Sequence, residues 1–243
     1  MIYRVNPGQV SYGEAIGILL LESCAPFIPG DVANATTFNF PVRFEPVPGL
    51  TVERIFNREM TLFNEVAGAA QSLKENGVRA ITGDCGFMAI YQENLVEQLD
   101  LPVFMSSLLQ VPFMSRLIGR SDKIGILTAN SSALTGEVLR SCGADLPGRI
   151  EISGLENSPH FKAAFLDETG ELDEEKLEDE VVTAALDLLN SKPAIKMFLL
   201  ECSVLPPYGA AIQQATGLPV FDFVTMINYV YAAVVKQRFS GFM

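Results

Sequence analysis

The chain has 243 residues, 49% of them hydrophobic, which is enough for one large domain or two small lobes that share a cleft. Its 17 basic and 29 acidic residues give a net charge of −12, which argues against nucleic acid and anionic membranes as partners. The sequence shows no signal-type leader, no apolar run of membrane-spanning length and no CxxC spacing among its four cysteines, so a cytoplasmic protein with reduced thiols is expected.

The first half of the chain alternates predicted strands with predicted helices. Apolar runs of strand length and helical spacing of apolar residues define these elements. In chain order they are a strand over Ala15–Leu21, a strand within Phe38–Phe44, a helix from Thr51 to Gly77, a strand over Val78–Thr82, a helix over Met88–Leu99, a strand over Pro102–Met105 and a helix over Ser106–Leu117.

The second half repeats this alternation after a polar turn at Gly119–Asp122. The pattern predicts strands over Lys123–Thr128, Ile150–Ile152, Ile195–Leu200 and Val220–Phe223, and helices ending at Gly143 and spanning Asp173–Asn190, Tyr208–Thr216 and Thr225–Gln237. Residues 154–171 are expected to be irregular. Alternating strands and helices predict an α/β fold with a parallel sheet in each half.

Two stretches of the chain repeat one pattern. In each, an apolar run ends in an acidic residue and a cysteine, Asp84-Cys85 in the first and Glu201-Cys202 in the second. Leu-Pro-Val-Phe then follows each cysteine at the same distance, and an Ile-Gly-Ile-Leu motif precedes both. A duplicated unit tends to pack about a pseudo-twofold axis. This predicts that Cys85 and Cys202 face each other across a cleft, beyond the carboxyl ends of the strands where ligands bind.

Two facing thiols point to proton transfer at carbon. A cysteine that opens a helix lies at the positive end of the helix dipole, so the pKa of both thiols is expected to be lowered. One thiol then removes a proton from a carbon next to a carboxylate and the other returns a proton to the opposite face. Neighbouring N–H groups stabilise the enolate-like intermediate. The alternative is that both are buried structural cysteines, which is the interpretation we favour for Cys24 and Cys142.

This pattern of motifs resembles the aspartate/glutamate/hydantoin racemase superfamily, which includes amino-acid racemases, maleate isomerase and arylmalonate decarboxylase. The resemblance covers nearly the whole chain and implies two Rossmann-like lobes with the active site between them, residues 1–118 plus 223–243 forming the first lobe and residues 119–222 the second. It implies a homodimer or larger oligomer. It assigns catalysis to Cys85 and Cys202, and substrate binding to Glu22, Ser23, Gly86, Phe87, Asn130, Ser131, Ser132, Ser203 and Val204.

The residues after each cysteine depart from the racemase pattern. Gly86-Phe87 and Ser203-Val204 replace the polar pairs that are usual in the family, which disfavours glutamate or aspartate as substrate. His160, the only histidine, lies outside any motif and is expected to be an ordinary loop residue. The acids next to the cysteines are expected to have structural or ion-pair roles, because adjacent side chains on a strand point to opposite faces.

Several functions are compatible with these residues. The first is a racemase or isomerase without a cofactor that acts on a small carboxylate, and two thiols favour it. A decarboxylase or other lyase of the same superfamily is the alternative, which the presence of two thiols disfavours because one cysteine suffices for that chemistry. A thiol hydrolase would lack a histidine base. A binding protein that has lost activity is the remaining alternative. No motif for a metal or an organic cofactor is present.

Overall fold

The computed structural model describes residues 2–243, whose strands form two parallel sheets. The strand order is β2-β1-β3 in the first sheet and β5-β4-β6-β7 in the second. The bounds are β1 (Ile16–Leu20), β2 (Val42–Pro46), β3 (Ala80–Gly83), β4 (Lys123–Thr128), β5 (Ile150–Gly154), β6 (Ile195–Leu200) and β7 (Val220–Phe221). The predicted α/β fold with two parallel sheets is confirmed.

Helices of varied length connect the strands. The α-helices are α1 (Val52–Phe56), α2 (Phe63–Glu75), α3 (Gln92–Gln98), α4 (Val111–Met114), α5 (Gly136–Ser141), α6 (Pro159–Phe161), α7 (Glu174–Ser191), α8 (Gly209–Thr216) and α9 (Phe223–Val234). Short 3₁₀ segments cover Ala35–Thr37, Met60–Leu62, Gly86–Tyr91, Ser107–Gln110 and Pro206–Tyr208, and a π-helix covers Lys162–Leu166. Within residues 2–243, no helix is long and apolar enough to cross a membrane.

The two sheets share one arrangement around their central strands. In the first, β1 pairs with β2 and β3, and in the second β4 pairs with β5 and β6, all in parallel. The backbone N–H of Asp84 donates to the carbonyl of Leu19 at 3.0 Å, and that of Glu201 donates to Leu127 at 2.8 Å. Both acid-cysteine turns therefore leave their sheets at equivalent points beside the central strand.

The last helix packs against the first sheet. Phe223, Met226 and Ile227 of α9 are buried in a cluster with Ile16 and Ile18 of β1. A second, larger apolar cluster includes residues from both sheets and from the helices around them. The division into lobes at residues 118 and 222 stays a prediction.

The helix predicted from Thr51 to Gly77 is broken into separate segments. Helix α1 ends at Phe56, a 3₁₀ turn follows at Met60–Leu62, and α2 begins at Phe63. Arg58 lies in the break with φ +56°, a left-handed conformation that a continuous helix excludes. The apolar spacing across this region was helical, but tertiary packing interrupts the backbone.

Other element boundaries also differ from the sequence prediction. The strand predicted at Pro102–Met105 is only a single bridge between Val103 and Ile81. The stretch 154–171, predicted to be irregular, contains α6 and the π-helix. Helix α9 begins at Phe223, two residues earlier than predicted, because the Asp222 side chain accepts the Thr225 N–H at 2.7 Å and caps it.

Candidate active site

The two acid-cysteine turns lie against each other. Cys85 is the N-cap of the 3₁₀ segment that follows β3, and Cys202 lies in the turn that follows β6. Both thiols are buried, and the backbone N–H two residues further on, that of Phe87 for Cys85 and that of Val204 for Cys202, acts to lower the pKa of the thiol. The Ser203 hydroxyl donates to the carbonyl of Asp84, so one turn is hydrogen-bonded directly to the other.

A single cleft contains both cysteines. Of the residues predicted to bind or react with substrate, the cleft is lined by Ser23, Cys85, Phe87, Cys202, Ser203 and Val204. It is also lined by Leu21, Ala25, Phe27, Val52, Phe56, Asp84, Ala129, Phe165 and Leu166. None of the described residues that line this cleft is lysine, arginine or histidine.

The other predicted binding residues lie outside the lining of this cleft. Glu22 is exposed, and Gly86 is buried against Glu201. The polar groups of residues 130–132 are already hydrogen-bonded. The Asn130 amide oxygen accepts from the N–H of Ser132 at 3.0 Å, and the hydroxyl and N–H of Ser131 donate to the Glu156 carboxylate. The turn after β4 therefore contributes Ala129 to the cleft rather than its polar side chains.

Burial raises the pKa of both thiols in the cleft, contrary to the prediction. The cause that raises the pKa of Cys85 most is desolvation, followed by the charges of Cys202 and Glu201. Desolvation is also the main cause for Cys202, followed by Glu201. The backbone N–H bonds favour the thiolates but do not outweigh burial, and the 3₁₀ segment after Cys85 has only six residues to supply a dipole. Burial therefore favours the neutral form of both thiols.

Three carboxyl groups are buried around the thiols. Desolvation raises the pKa of Asp31 to about 8, and those of Asp84 and Glu201 to about 7. The Asp84 carboxylate accepts the Leu21 N–H at 3.0 Å, and Glu201 Oε2 accepts from the Thr128 hydroxyl at 2.8 Å. The predicted ion-pair role is not seen for Asp84 or Glu201 within residues 2–243, and Asp84 itself lines the cleft.

The remaining cysteines and the histidine lie away from the cleft. Cys24 is exposed, and Cys142 is buried at the end of α5. His160 is in α6, where its Nδ1 lies 2.7 Å from Glu180 Oε1 and its backbone N–H donates to the same carboxylate. None of these three side chains contributes to the lining of the cleft.

Sequence reasoning missed the aromatic lining of the cleft. Phe27, Phe56 and Phe165 lie in segments with no repeated motif, and their spacing is that of ordinary core residues. Phe165 belongs to the π-helix in the stretch expected to be irregular. The one available signal was the abundance of phenylalanine, 16 residues, which gives composition but no position.

The Tyr208 hydroxyl is buried and has no hydrogen-bond partner among the described residues. Because an unsatisfied buried hydroxyl costs free energy, we expect Tyr208→Phe to leave the free energy of unfolding unchanged or to raise it by about 1 kcal/mol. Tyr91→Phe is the matched control, since the Tyr91 hydroxyl donates to the Glu59 carbonyl at 2.9 Å, and should lower it by about 1 kcal/mol. Urea unfolding measures both. An equal loss in the two variants would contradict the expectation.

Glu201 should make stability depend on pH. Its pKa is raised to about 7 in the folded protein from 4.5, so between these values the folded state holds a proton that the unfolded state has lost. Its contribution to stability is therefore full at acidic pH and is lost as the pH rises towards 7. We expect Glu201→Gln to flatten the fall in the free energy of unfolding between about pH 5.5 and about pH 7.5.

Glu180 provides the control for that measurement. Hydrogen bonds from His160 and Phe161 hold the pKa of its carboxyl below the ordinary value, although partial burial opposes them. Glu180 is consequently ionised in both states over the same pH range, and Glu180→Gln should leave the slope unchanged. A slope that Glu201→Gln does not alter would show that the proton is held elsewhere.

Curated sequences similar to this chain are lyases. The chain is 33% identical over 222 residues to a dimethylsulfoniopropionate lyase of Durusdinium sp. clade D, covering 88% of this chain and 73% of the relative. It is 34% identical to dimethylsulfoniopropionate lyase 3 of Emiliania huxleyi over 238 residues, covering 93% of this chain but only 61% of that protein. It thus spans between three fifths and three quarters of these relatives. No protein-family model matches the chain.

Solved structures similar to this one include racemases and a decarboxylase. An allantoin racemase from Pseudomonas fluorescens gives a TM-score of 0.58 at 18% identity, covering 92% of this chain and 94% of the other. A glutamate racemase from Bacillus anthracis gives 0.57 at 15%, covering 92% and 85%. Arylmalonate decarboxylase gives 0.59 at 15%, covering 90% and 91%. These likenesses show that the chain shares the fold of these racemases and of the decarboxylase. The sequence relatives favour the lyase alternative over the racemase. By its identity to the Durusdinium protein over most of both chains, the chain belongs to the dimethylsulfoniopropionate lyase family.

Proposed function

We propose that this protein is a lyase that cleaves dimethylsulfoniopropionate, or a closely similar sulfonium carboxylate, by β-elimination. The observation that carries the proposal is a cleft that is lined by two buried thiols and the Asp84 carboxyl group and has no cationic side chain in its described lining. A base is available there, and the electrostatic environment favours a ligand with a positive group. The names of the relatives supply the substrate class.

The elimination needs one base, for which we propose Cys202. The thiolate removes a proton from the carbon next to the carboxylate. The electron pair of that C–H bond forms the carbon-carbon double bond, the C–S bond breaks, and dimethyl sulfide leaves with its electron pair. The products are acrylate and dimethyl sulfide, and the proton on the thiol passes to solvent. Because the leaving group is neutral and needs no acid, one thiol completes the reaction.

The coupling between the thiols supports a mechanism with one base. The two thiols are close enough for the charge of one to raise the pKa of the other, and this repulsion acts in both directions. The thiols therefore do not ionise together, and in our proposal Cys202 ionises while Cys85 stays neutral beside it. A bound sulfonium would oppose the burial that raises the pKa of Cys202, because a nearby positive charge favours a thiolate. Substrate binding would thus favour the Cys202 thiolate, which then removes the proton from the substrate.

The substrate carboxylate has no basic side chain in the cleft to pair with. We propose that it lies against the two cysteine turns, where backbone N–H groups can act as donors. The hydroxyls of Ser23 and Ser203 are less available, since they already donate to Glu168 and to the Asp84 carbonyl. Hydrogen bonds there would stabilise the charge that moves onto the carboxylate when the neighbouring carbon loses its proton.

Direct assay of both products tests the proposal. The purified protein is incubated with dimethylsulfoniopropionate, dimethyl sulfide is measured in the headspace, and acrylate is measured by proton NMR. Equal amounts of the two products are expected. The same assay in D2O on allantoin, glutamate and arylmalonate reports racemisation or decarboxylation. Exchange or loss of CO2 in that panel, without cleavage of the sulfonium compound, would refute the lyase proposal.

A further inference from the structure

We propose that Phe27, Phe56, Phe87 and Phe165 form the binding site for the positively charged sulfonium group. This inference rests on the proposed function, because it names the part of the same cleft that recognises the cation. These four side chains are the aromatic lining of the cleft that holds the two thiols. They are here called the phenylalanine wall.

Both halves of the chain contribute to the phenylalanine wall. The Phe56 and Phe87 rings lie edge to face, with centroids 4.9 Å apart and planes inclined at 74°, so they form two adjoining sides of the cleft. Phe165 comes from the π-helix of the second half, where Phe161 packs against it at a centroid distance of 5.2 Å. The Ser23 hydroxyl donates to Glu168, which holds the segment after the π-helix against the first half.

The electrostatics of the cleft distinguish a cation site from a general apolar site. The face of an aromatic ring attracts a cation, and the attraction is strongest where water is excluded. Phe87 is 2% exposed and Phe165 is 7% exposed, so both rings lie largely out of solvent. Asp84 also lines the cleft, and no described lining residue competes as a cation. A sulfonium group has apolar methyl groups that can pack on the rings and a positive charge that the ring faces and the Asp84 carboxyl group attract.

A pair of ligands that differ only in charge tests the inference. In 3-(trimethylammonio)propanoate a quaternary nitrogen carries the positive charge, and in 4,4-dimethylpentanoate a carbon atom replaces that nitrogen. Both have the same shape and the same carboxylate. Calorimetric titration of the wild-type protein is expected to show about tenfold tighter binding of the cationic ligand. Equal affinities in the wild type would overturn the inference.

Substitution of single rings assigns the preference to residues. Phe27→Leu and Phe56→Leu alter half-buried side chains and keep an apolar surface, so both variants should fold. Each is expected to lower the preference for the cationic ligand about threefold while leaving the affinity for 4,4-dimethylpentanoate nearly unchanged. Phe63→Leu is the control, because Phe63 is also half-buried but packs on Tyr91 outside the cleft. A parallel loss of affinity for both ligands would mean that the rings act only as an apolar surface.

Binding and turnover separate this inference from the proposed function. If the protein prefers the cationic ligand but releases no dimethyl sulfide, the cation site is supported and the lyase proposal is refuted. If the protein cleaves dimethylsulfoniopropionate but binds the two ligands equally, the lyase proposal is supported and the phenylalanine wall is refuted as a cation site. The two failures therefore give different results in the two experiments.

Discussion

Replacing Cys202 with serine is expected to lower kcat for cleavage of dimethylsulfoniopropionate by about a thousandfold while changing ligand affinity little. A serine hydroxyl is close to a thiol in size, and it too can accept a hydrogen bond from a backbone N–H. Its far higher pKa removes the base. Affinity for 3-(trimethylammonio)propanoate, measured by calorimetry, reports binding apart from chemistry. The rate of dimethyl sulfide release reports the loss of the base.

Cys85→Ser and Cys24→Ser complete this test. If Cys85 is a neutral neighbour, its substitution should lower kcat by about tenfold at most, since it touches the substrate without exchanging a proton. Cys24 is exposed and outside the cleft lining, so Cys24→Ser should retain full activity. An enzyme that used both thiols, as a two-base racemase does, would lose activity equally in Cys85→Ser and Cys202→Ser. Full activity in Cys202→Ser would refute the assignment of the base.

The dependence of kcat/KM on pH provides a second readout of the same base. Burial raises the pKa of Cys202, and only the thiolate can remove the proton. Activity should therefore increase with pH through the neutral range and into the alkaline range. A thiol whose pKa was lowered, as the sequence predicted, would instead give a plateau at neutral pH.

The repeated motifs allowed the architecture to be predicted because each reflects the preference of a short stretch of residues for a strand or a turn. Buried parallel strands leave continuous apolar runs such as Ile16–Leu20, and Cys85 and Cys202 follow equivalent strands. The protonation state of the thiols could not be predicted, since it depends on burial by groups distant in sequence, including Phe56 and Phe165. A helix-dipole argument considers only the following turn, and in this protein desolvation outweighs it.

Gly86 shows the same limitation in steric terms. The sequence interpretation treated it as a departure from a polar racemase residue at the substrate carboxylate. In the structure it lies against Glu201, whose side chain and carbonyl occupy the space that a Cβ would need. A Cβ at Gly86 would lie 2.5 Å from Cδ of Glu201 and would overlap both Oε1 and the backbone oxygen. The absence of a side chain is therefore required by packing between the two turns that hold Cys85 and Cys202.

Gly86→Ala is accordingly expected to have the largest effect on stability of the changes considered. Displacing Glu201 breaks its hydrogen bond with Thr128, and displacing the backbone moves Cys85, so we expect a loss of about 3 kcal/mol in the free energy of unfolding. Activity should fall with it, because the Cys85 turn forms one side of the cleft. Urea unfolding and dimethyl sulfide release measure the two effects on the same preparation.

Gly68→Ala and a double variant separate this clash from the general effect of replacing glycine. Gly68 lies in α2 with open space around its Cα, so alanine there should stabilise the protein by about 0.5 to 1 kcal/mol. In the Gly86→Ala background, shortening the acid with Glu201→Asp should recover part of the lost stability, because it withdraws the carboxyl from the added methyl group. Recovery should be incomplete, since the Glu201 backbone carbonyl still clashes with that methyl. A Gly86→Ala protein as stable as the wild type would show that the two turns can separate, and the close contact that holds the thiols in one cleft would then not be essential.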